Sequence, residues 1–197
     1  MSMEYIDRAS GKIYITGGLY FLKEEFFERF SSSCPYISLS DKRGEDGAGR
    51  HGRPHICIGA SHKALLWMVP ISSRVEKYER EIAWQRQKYG ACDKVQIVRL
   101  STGKRAALIQ NIIPCTPRYI DGEYINRQTG TVEKIGQSDL RRVCISARKL
   151  IVMHRCAPKC GFLFTDVFGI ARALLHDAKT PKAEMDDKTY EYDEVRG

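Results

Sequence analysis

The sequence predicts an α+β domain: a compact, twisted, mostly antiparallel sheet of five or six strands, or a partly open small barrel, with flanking helices and a C-terminal helical pair. Short apolar runs separated by turn residues fill the first two thirds of the chain, as in hairpin-connected strands. After Ser138 the apolar spacing becomes helical. The composition, 43% hydrophobic and 28% charged over 197 residues, is that of a globular protein.

The N-terminal part is predicted to contain a strand, a helix and a long loop. Residues 12–16 alternate apolar and polar side chains, which indicates a strand. Residues 19–30 carry large apolar side chains at helical spacing among charged ones, which predicts a helix. Residues 40–52 hold four glycines and no apolar residue larger than alanine. We therefore expect a functional loop or an insertion there.

The middle of the chain is predicted to form the centre of the sheet. Residues 54–60 and 65–71 are two strand-like runs across a short polar turn, as in a hairpin. A helix follows, with Ser73 and Glu76 at capping-box spacing and Gly90 at its end. The remaining predicted β elements are strands at 94–100 and 105–115 and a small hairpin at 119–125 with Asp-Gly at its tip.

The C-terminal third is predicted to be a helical pair. Apolar residues recur at helical spacing from Ser138 to His154, and a turn leads to a second helix after Asp166. We predict one domain over residues 1–177. The segment 178–197 holds six acidic and four basic residues and is expected to be a flexible acidic tail.

The net charge of +8 points to a polyanionic partner. Nucleic acid is the first candidate and a membrane surface the second, while a purely solubilising charge stays open as an alternative. No apolar run has the length of a membrane span, and no signal peptide is visible. The seven scattered cysteines are typical of free thiols in a reducing compartment. We expect a cytoplasmic protein with no membrane partner.

The strongest candidate site lies where the second central strand meets the next helix. Ser72 and Ser73 supply two hydroxyls beside the backbone N–H groups of a helix start. Arg74, Lys77 and Arg80 add positive charge, so a phosphodiester fits this junction. A purely structural alternative stays open, in which Ser73 only caps the helix.

A basic segment leading into the central hairpin is the second candidate. It contains Arg50, His51, Arg53 and His55, and Lys63 lies in the turn of the hairpin. Ribonuclease chemistry without a metal needs a group that helps the 2′-hydroxyl attack and groups that stabilise the extra negative charge. These residue types supply both. In the alternative, His55 lies in the core and the others only contact solvent.

Metal and nucleotide sites are less well supported. His154, Cys156 and Cys160, with Cys144 one helix away, provide only one of the paired clusters that zinc sites prefer. The Gly-x-Ser-x-Gly elbow of hydrolases is absent, and Gly103-Lys104 lacks the first glycine of a phosphate loop. We therefore predict no metal and no cofactor.

Four segments, in this order, resemble the ToxN/AbiQ family of bacterial type III toxins. They are Gly11 to Thr16 ahead of 19–23, Arg53-Pro54-His55-Ile56, Pro70-Ile71-Ser72-Ser73, and Leu108 to Pro114. The similarity covers roughly residues 11–120 and rests on order and spacing. It implies a fold like that of plasmid-maintenance toxins.

The resemblance also implies an activity and partners. The family's members are metal-independent endoribonucleases that leave 2′,3′-cyclic phosphate and 5′-hydroxyl ends. They process their own repetitive RNA antitoxin and are inhibited by it, so we expect RNA partners, both target mRNA and antitoxin repeats, in a closed multi-copy complex. The biological role so implied is phage defence or plasmid maintenance.

Individual residues carry over from the family one at a time. Ser72 takes the place of its active-site threonine and Ser73 that of its serine, so both would contact the scissile phosphate. Arg53 takes the place of a basic residue that is usually lysine and would neutralise the transition state. Arginine is a poor general base, which makes His51 or His55 the better candidate.

This chain departs from the family where Pro-Lys follows the serine pair, because it has Arg74-Val75 there. The second cation would therefore be Arg74 or Lys77. Two alternatives from other classes stay open: a non-catalytic RNA-binding module that uses the same basic surface, and a zinc-stabilised interaction domain.

Overall fold

The computed structural model describes residues 4–7, 10–34, 52–61 and 65–177. The strands are β1 (Glu4–Ile6), β2 (Ile13–Ile15), β3 (Leu19–Leu22), β4 (His55–Ala60), β5 (Leu66–Ser72), β6 (Val95–Leu100), β7 (Gly103–Leu108), β8 (Ile113–Cys115) and β9 (Ile120–Glu123). The helices are α1 (Glu24–Arg29), α2 (Val75–Tyr89), α3 (Gln137–Cys156) and α4 (Val167–Asp177). The predicted acidic tail and the predicted loop, apart from its last residue, lie outside the described residues.

The described strands form an open antiparallel sheet of seven strands in the order β6-β7-β5-β4-β3-β9. The seventh strand, β8, pairs with β5 on the same side as β7 and further towards the N-terminal end of β5. β1 and β2 form a separate two-stranded sheet. The α+β prediction with a mostly antiparallel sheet is confirmed. The sheet is larger than predicted and does not close into a barrel.

The two faces of the sheet bury different sets of side chains, as the alternation of side chains along a strand requires. In β5, Met68 packs into one cluster with α1 and α4, whereas Val69 packs into another with α3. A third cluster lies between α2 and the β6–β7 hairpin and includes Ile82 and Ala106. Helices therefore cover both faces around the central β4–β5 hairpin.

The predicted helix over residues 19–30 is wrong in its first third, where the chain forms the strand β3. All four side chains of Leu19–Leu22 are buried, and the strand is paired on one edge with β4 and on the other with β9. A strand buried on both faces reads as a continuous apolar run, which also satisfies a helical pattern. Only Glu24–Arg29 forms the helix α1.

The predicted hairpin at 119–125 is also wrong. Its residues Ile120–Glu123 form the single strand β9, and Gly122 lies opposite Phe21 rather than at a turn. The predicted strand at 105–115 is divided into β7 and β8 by a short 3-10 helix, Ile109–Asn111. β7 and β8 both pair with β5. The break between them lets β7 pair with the C-terminal end of β5 and β8 with its N-terminal end.

The long helices and the central hairpin are confirmed. α2 ends at Gly90, which has a φ of 77° and donates its N–H to the carbonyl of Arg86 at 2.8 Å. This left-handed conformation is accessible to glycine without a steric penalty, which explains the stop. None of the helices in the described ranges is long and apolar enough to cross a bilayer.

Candidate functional site

The predicted serine pair lies at the end of β5, immediately before α2. Ser72 is opposite Ala106 of β7, so its side chain shares the sheet face on which α2 packs. Ser72 is 8% exposed, whereas Ser73, the first residue after the strand, is exposed. The two hydroxyls therefore occupy different environments, one inside the junction and one on its surface.

The turn from β5 into α2 does not contain the predicted capping box. The Ser72 Oγ accepts a hydrogen bond from the Arg74 N–H at 3.2 Å, and the Val75 N–H donates to the Ser73 carbonyl at 2.8 Å. These contacts close the turn tightly, so the helix begins at Val75 with Arg74 as its N-cap and no side-chain cap. The Ser73 hydroxyl makes no hydrogen bond to another described residue and faces solvent.

Positive charge surrounds this junction. Arg74, Lys77 and Arg80 are exposed, and none of them has an acidic partner among the described residues. The Lys77 Nζ lies 5.6 Å from the centre of the Tyr78 ring. The first-turn N–H groups of α2 have no acceptor within the helix, and they add partial positive charge. Glu76 also lies in the first turn, but the three cations outnumber it, so the local charge favours an anion.

The neighbouring strand brings Arg53 to the same end of the sheet. His55 is opposite Pro70, and the Ile71 N–H donates to the Pro54 carbonyl at 3.0 Å. When this antiparallel register is continued, Arg53 comes beside Ser72. Arg53 is half-buried. The register therefore brings Arg53 and Ser72, which are 19 positions apart in the chain, to the same end of the sheet.

His55 lies in the protein core. It is fully buried, its ring centre is 6.1 Å from that of Phe27, and neither ring nitrogen has a partner in hydrogen-bond geometry. Burial is the main reason that the pKa of His55 falls to about 3; the Arg53 backbone opposes this fall, and the Arg53 charge adds a smaller lowering. A role for this ring as a base stays a prediction, and its burial favours the core alternative.

Three predicted residues cannot be related to this geometry. His51, Arg50 and Lys63 lie outside the described residues, so their roles stay predictions.

The sulfur-containing candidates do not meet at a metal site. Within residues 4–7, 10–34, 52–61 and 65–177, no group of three or more His, Cys, Asp or Glu side chains could hold a metal ion. Cys156 and Cys160 are exposed, and the His154 ring stacks on Phe168 with centres 6.1 Å apart. The Cys144 thiol donates to the Ile58 carbonyl at 3.5 Å.

Sequence reasoning missed the outer face of α2. Trp84 is 53% exposed and Tyr89 is 64% exposed. The signal was present in the spacing, because Lys77, Arg80, Trp84 and Lys88 follow one another at intervals of three or four residues. Such residues share one side of a helix.

Comparison with known proteins adds no family to this description, since neither a protein-family model nor a curated protein matches the sequence.

Proposed function

We propose that this chain is a metal-independent endoribonuclease, the toxin of a type III toxin-antitoxin pair, which cuts RNA to leave 2′,3′-cyclic phosphate and 5′-hydroxyl ends. The proposal rests chiefly on the junction between β5 and α2. There the exposed Ser73 hydroxyl does not cap the helix, and it lies near Arg74, Lys77 and Arg80, which form no ion pair with a described residue. An RNA phosphate is the ligand that matches hydroxyl donors, backbone N–H groups and arginine together.

The chemistry assigned to this junction is an internal transesterification. The 2′-oxygen bonds to the adjacent phosphorus, the bond from phosphorus to the 5′-oxygen breaks, and one proton moves from the 2′-hydroxyl to a base. A second proton, supplied by solvent water, goes to the leaving 5′-oxygen. Ser73 and Arg53 would hydrogen-bond the phosphate oxygens, and Arg74 or Lys77 would stabilise their added negative charge.

Two of the three candidate proton acceptors are poor bases. Arg53 holds its proton too strongly to serve, and a buried imidazole with a pKa of about 3 is a weak base at neutral pH. His51 therefore stays the predicted base, because Arg53 and His55 are poor proton acceptors. Its substitution belongs in the same assay as the serine variants.

The proposed partners follow from the family resemblance. They are target mRNA, cut in the cytoplasm, and a repetitive antitoxin RNA that the enzyme processes and that then holds it inactive in a closed multi-copy assembly.

A second function is supported by one observation. The Ser72 hydroxyl is nearly buried and already accepts the Arg74 N–H, which is what a purely structural serine does. A non-catalytic RNA-binding module would use the same basic surface and need neither serine for chemistry.

The deciding experiment incubates the full chain with an end-labelled RNA of mixed sequence in excess EDTA and identifies the ends produced. Discrete cuts with cyclic-phosphate ends, lost in Ser73→Ala and in Ser72→Ala, would support the ribonuclease. Intact RNA that shifts on a native gel would favour the binding module instead. Intact RNA that does not shift would overturn both.

A further inference from the structure

The outer side of α2 combines positive charge with exposed aromatic surface. We define the α2 stripe as Lys77, Arg80, Trp84 and Lys88. All four residues are exposed. At about 100° of rotation per residue these four side chains fall within one side of the helix, and the buried Ile82 lies on the opposite side. The stripe begins one helical turn from Ser73.

Two aromatic rings, those of Trp84 and Tyr89, form a platform at the C-terminal end of the stripe, with Lys88 beside them. The rings of Trp84 and Tyr89 meet edge to face, with centres 6.0 Å apart and planes at 88°. The Lys88 Nζ lies 5.0 Å from the Trp84 ring and 5.2 Å from the Tyr89 ring. Over half of each aromatic side chain remains exposed. Exposed aromatic rings beside cations are what single-stranded nucleic acids use for base stacking.

The acidic residues of α2 do not cancel this charge. Glu79 pairs with Lys104 of β7 at 3.0 Å, and Glu81 accepts a hydrogen bond from the buried Gln85 at 3.1 Å. Glu76 lies one turn before Arg80 and Glu81 one turn after Lys77, so both border the stripe, but among the described residues neither forms an ion pair with these cations. The stripe itself therefore presents cations and a ring, which complement phosphates and bases in alternation.

We infer that the α2 stripe is a binding track for single-stranded RNA, which runs from the phosphate site at Ser73 to the Trp84–Tyr89 platform. This inference rests on the proposed function for its starting point. The 15 residues of α2 span about 22 Å, enough for several nucleotides. Bases stack on the platform while Lys77, Arg80 and Lys88 contact phosphates. The track therefore binds single-stranded RNA in preference to double-stranded RNA, without a strict sequence requirement.

The test measures binding of the full chain to a 2′-O-methyl RNA of about twelve nucleotides, a length within the usual range for single-strand sites. This probe lacks the attacking hydroxyl, so binding is measured without cleavage. We expect Trp84→Leu to weaken binding by at least about fivefold, because one stacking contact is lost. Trp84→Phe keeps a ring and should restore most of the affinity.

The chain offers a matched control on another surface. Phe164 is 37% exposed, and the Lys94 Nζ lies 5.7 Å from its ring, so Phe164→Leu removes a similar aromatic–lysine pair away from α2. This variant should bind the probe as the unchanged chain does. Lys88→Ala should reduce the slope of log affinity against log salt by about 0.7, the value for one single-strand phosphate contact.

The outcomes separate this inference from the nuclease proposal. A chain that cuts no RNA, but binds the probe through Trp84, would overturn the nuclease and leave the track standing. A chain that cuts RNA normally, but binds the probe equally well as Trp84→Leu, would overturn the track and leave the α2 stripe to a protein partner. Failure of the unchanged chain to bind the probe would overturn the track as well.

Discussion

The Oγ of Ser72 accepts the backbone N–H of Arg74 at 3.2 Å, two residues ahead in the chain. This contact closes the turn between β5 and α2 and gives Ser72 a structural task. Ser73, between them, has no such task, since its hydroxyl is exposed and α2 has no side-chain cap. Two adjacent serines with similar expected roles thus differ in what their removal should do.

Substitution of the two serines should separate stability from activity. Ser73→Ala should change the free energy of unfolding by no more than about 0.5 kcal/mol, because the side chain is exposed. Its RNA cleavage should fall by about 10²- to 10³-fold if the hydroxyl stabilises the phosphate in the transition state. Ser72→Ala, unlike Ser73→Ala, should lower the free energy of unfolding by about 1 kcal/mol, since the Arg74 N–H loses its acceptor. Urea unfolding and a cleavage assay measure the two effects.

A Ser73→Ala chain with full cleavage would remove Ser73 from the mechanism. A Ser72→Ala chain with unchanged stability would show that water replaces the lost acceptor.

The sequence predicted the central hairpin and the long helices because their patterns have one solution. Residues 54–60 and 65–71 are two apolar runs of strand length joined by a short polar turn, which favours a hairpin, and the helical spacing after Ser138 persists too long for a strand. The segment 19–22 could not be resolved in this way. Four consecutive apolar residues suit a strand buried on both faces as well as a helix, and only pairing with β4 and β9 decides between them.

The candidate site was predictable in part for a similar reason. Strand pairing brings Arg53 towards Ser72, and a hairpin prediction already contains that register. Burial was not predictable from spacing. His55 and Arg53 are two positions apart, so their side chains point to the same side of an extended chain, yet His55 is buried and Arg53 only half-buried. The outer side of α2 was not predicted, because apolar spacing identifies only the buried face of a helix.

The buried imidazole of His55 should make the fold sensitive to acid. Its pKa of about 3 lies below the ordinary 6.5, so between these values the unfolded chain binds a proton that the folded chain does not. The free energy of unfolding should therefore decrease as the pH falls through this window, by about 1.4 kcal/mol per unit from this group. His55→Leu should remove that share of the slope. Unfolding curves from pH 7 to pH 4 measure it.

The same variant also tests the placement of the ring. Because His55→Leu removes two ring nitrogens that lack partners, its stability at pH 7 should equal or exceed that of the unchanged chain. A marked loss at pH 7 would contradict the burial of an unsatisfied ring. We expect RNA cleavage to survive, and its loss in a stably folded variant would return His55 to the mechanism.

The last described residue of α4 should lock this helix to α1. The Arg29 guanidinium donates to both carboxylate oxygens of Asp177 and to the Tyr119 hydroxyl, the last at 2.8 Å. Hydrogen bonding to Arg29 holds the pKa of Asp177 below its ordinary 3.8, so its contribution is present above that pH and is lost as the pH falls further. Asp177→Asn should lower the melting temperature at pH 7, and the difference from the unchanged chain should shrink as the pH falls below 3.8.

The contribution of Asp177 should be modest, because its side chain is 37% exposed and solvent screens the pair. Asp121→Asn is the control, since Asp121 is exposed and has no ion pair among the described residues. Equal melting temperatures for the two variants at pH 7 would show that Arg29 and Asp177 do not stabilise the fold.

The seven thiols should fall into clearly different classes of reactivity, because only a thiolate attacks a disulfide reagent. Cys156 and Cys160 are exposed, whereas burial raises the pKa of Cys34 to about 12 and that of Cys57 to about 11. Titration of the native chain with an aromatic disulfide should show a fast phase that is absent in the double variant Cys156→Ser/Cys160→Ser. The buried thiols should react only after unfolding in denaturant.

The same double variant decides between the zinc-stabilised alternative and a fold held by its apolar core. Because exposed Cys156 and Cys160 lie in no metal-capable group among the described residues, its melting temperature should equal that of the unchanged chain, with or without EDTA. A structural metal would be established by two results together. EDTA would lower the melting temperature of the unchanged chain, and the double variant would melt at that lower temperature both with and without EDTA. RNA cleavage in EDTA would then have to be compared with cleavage by chain supplied with zinc.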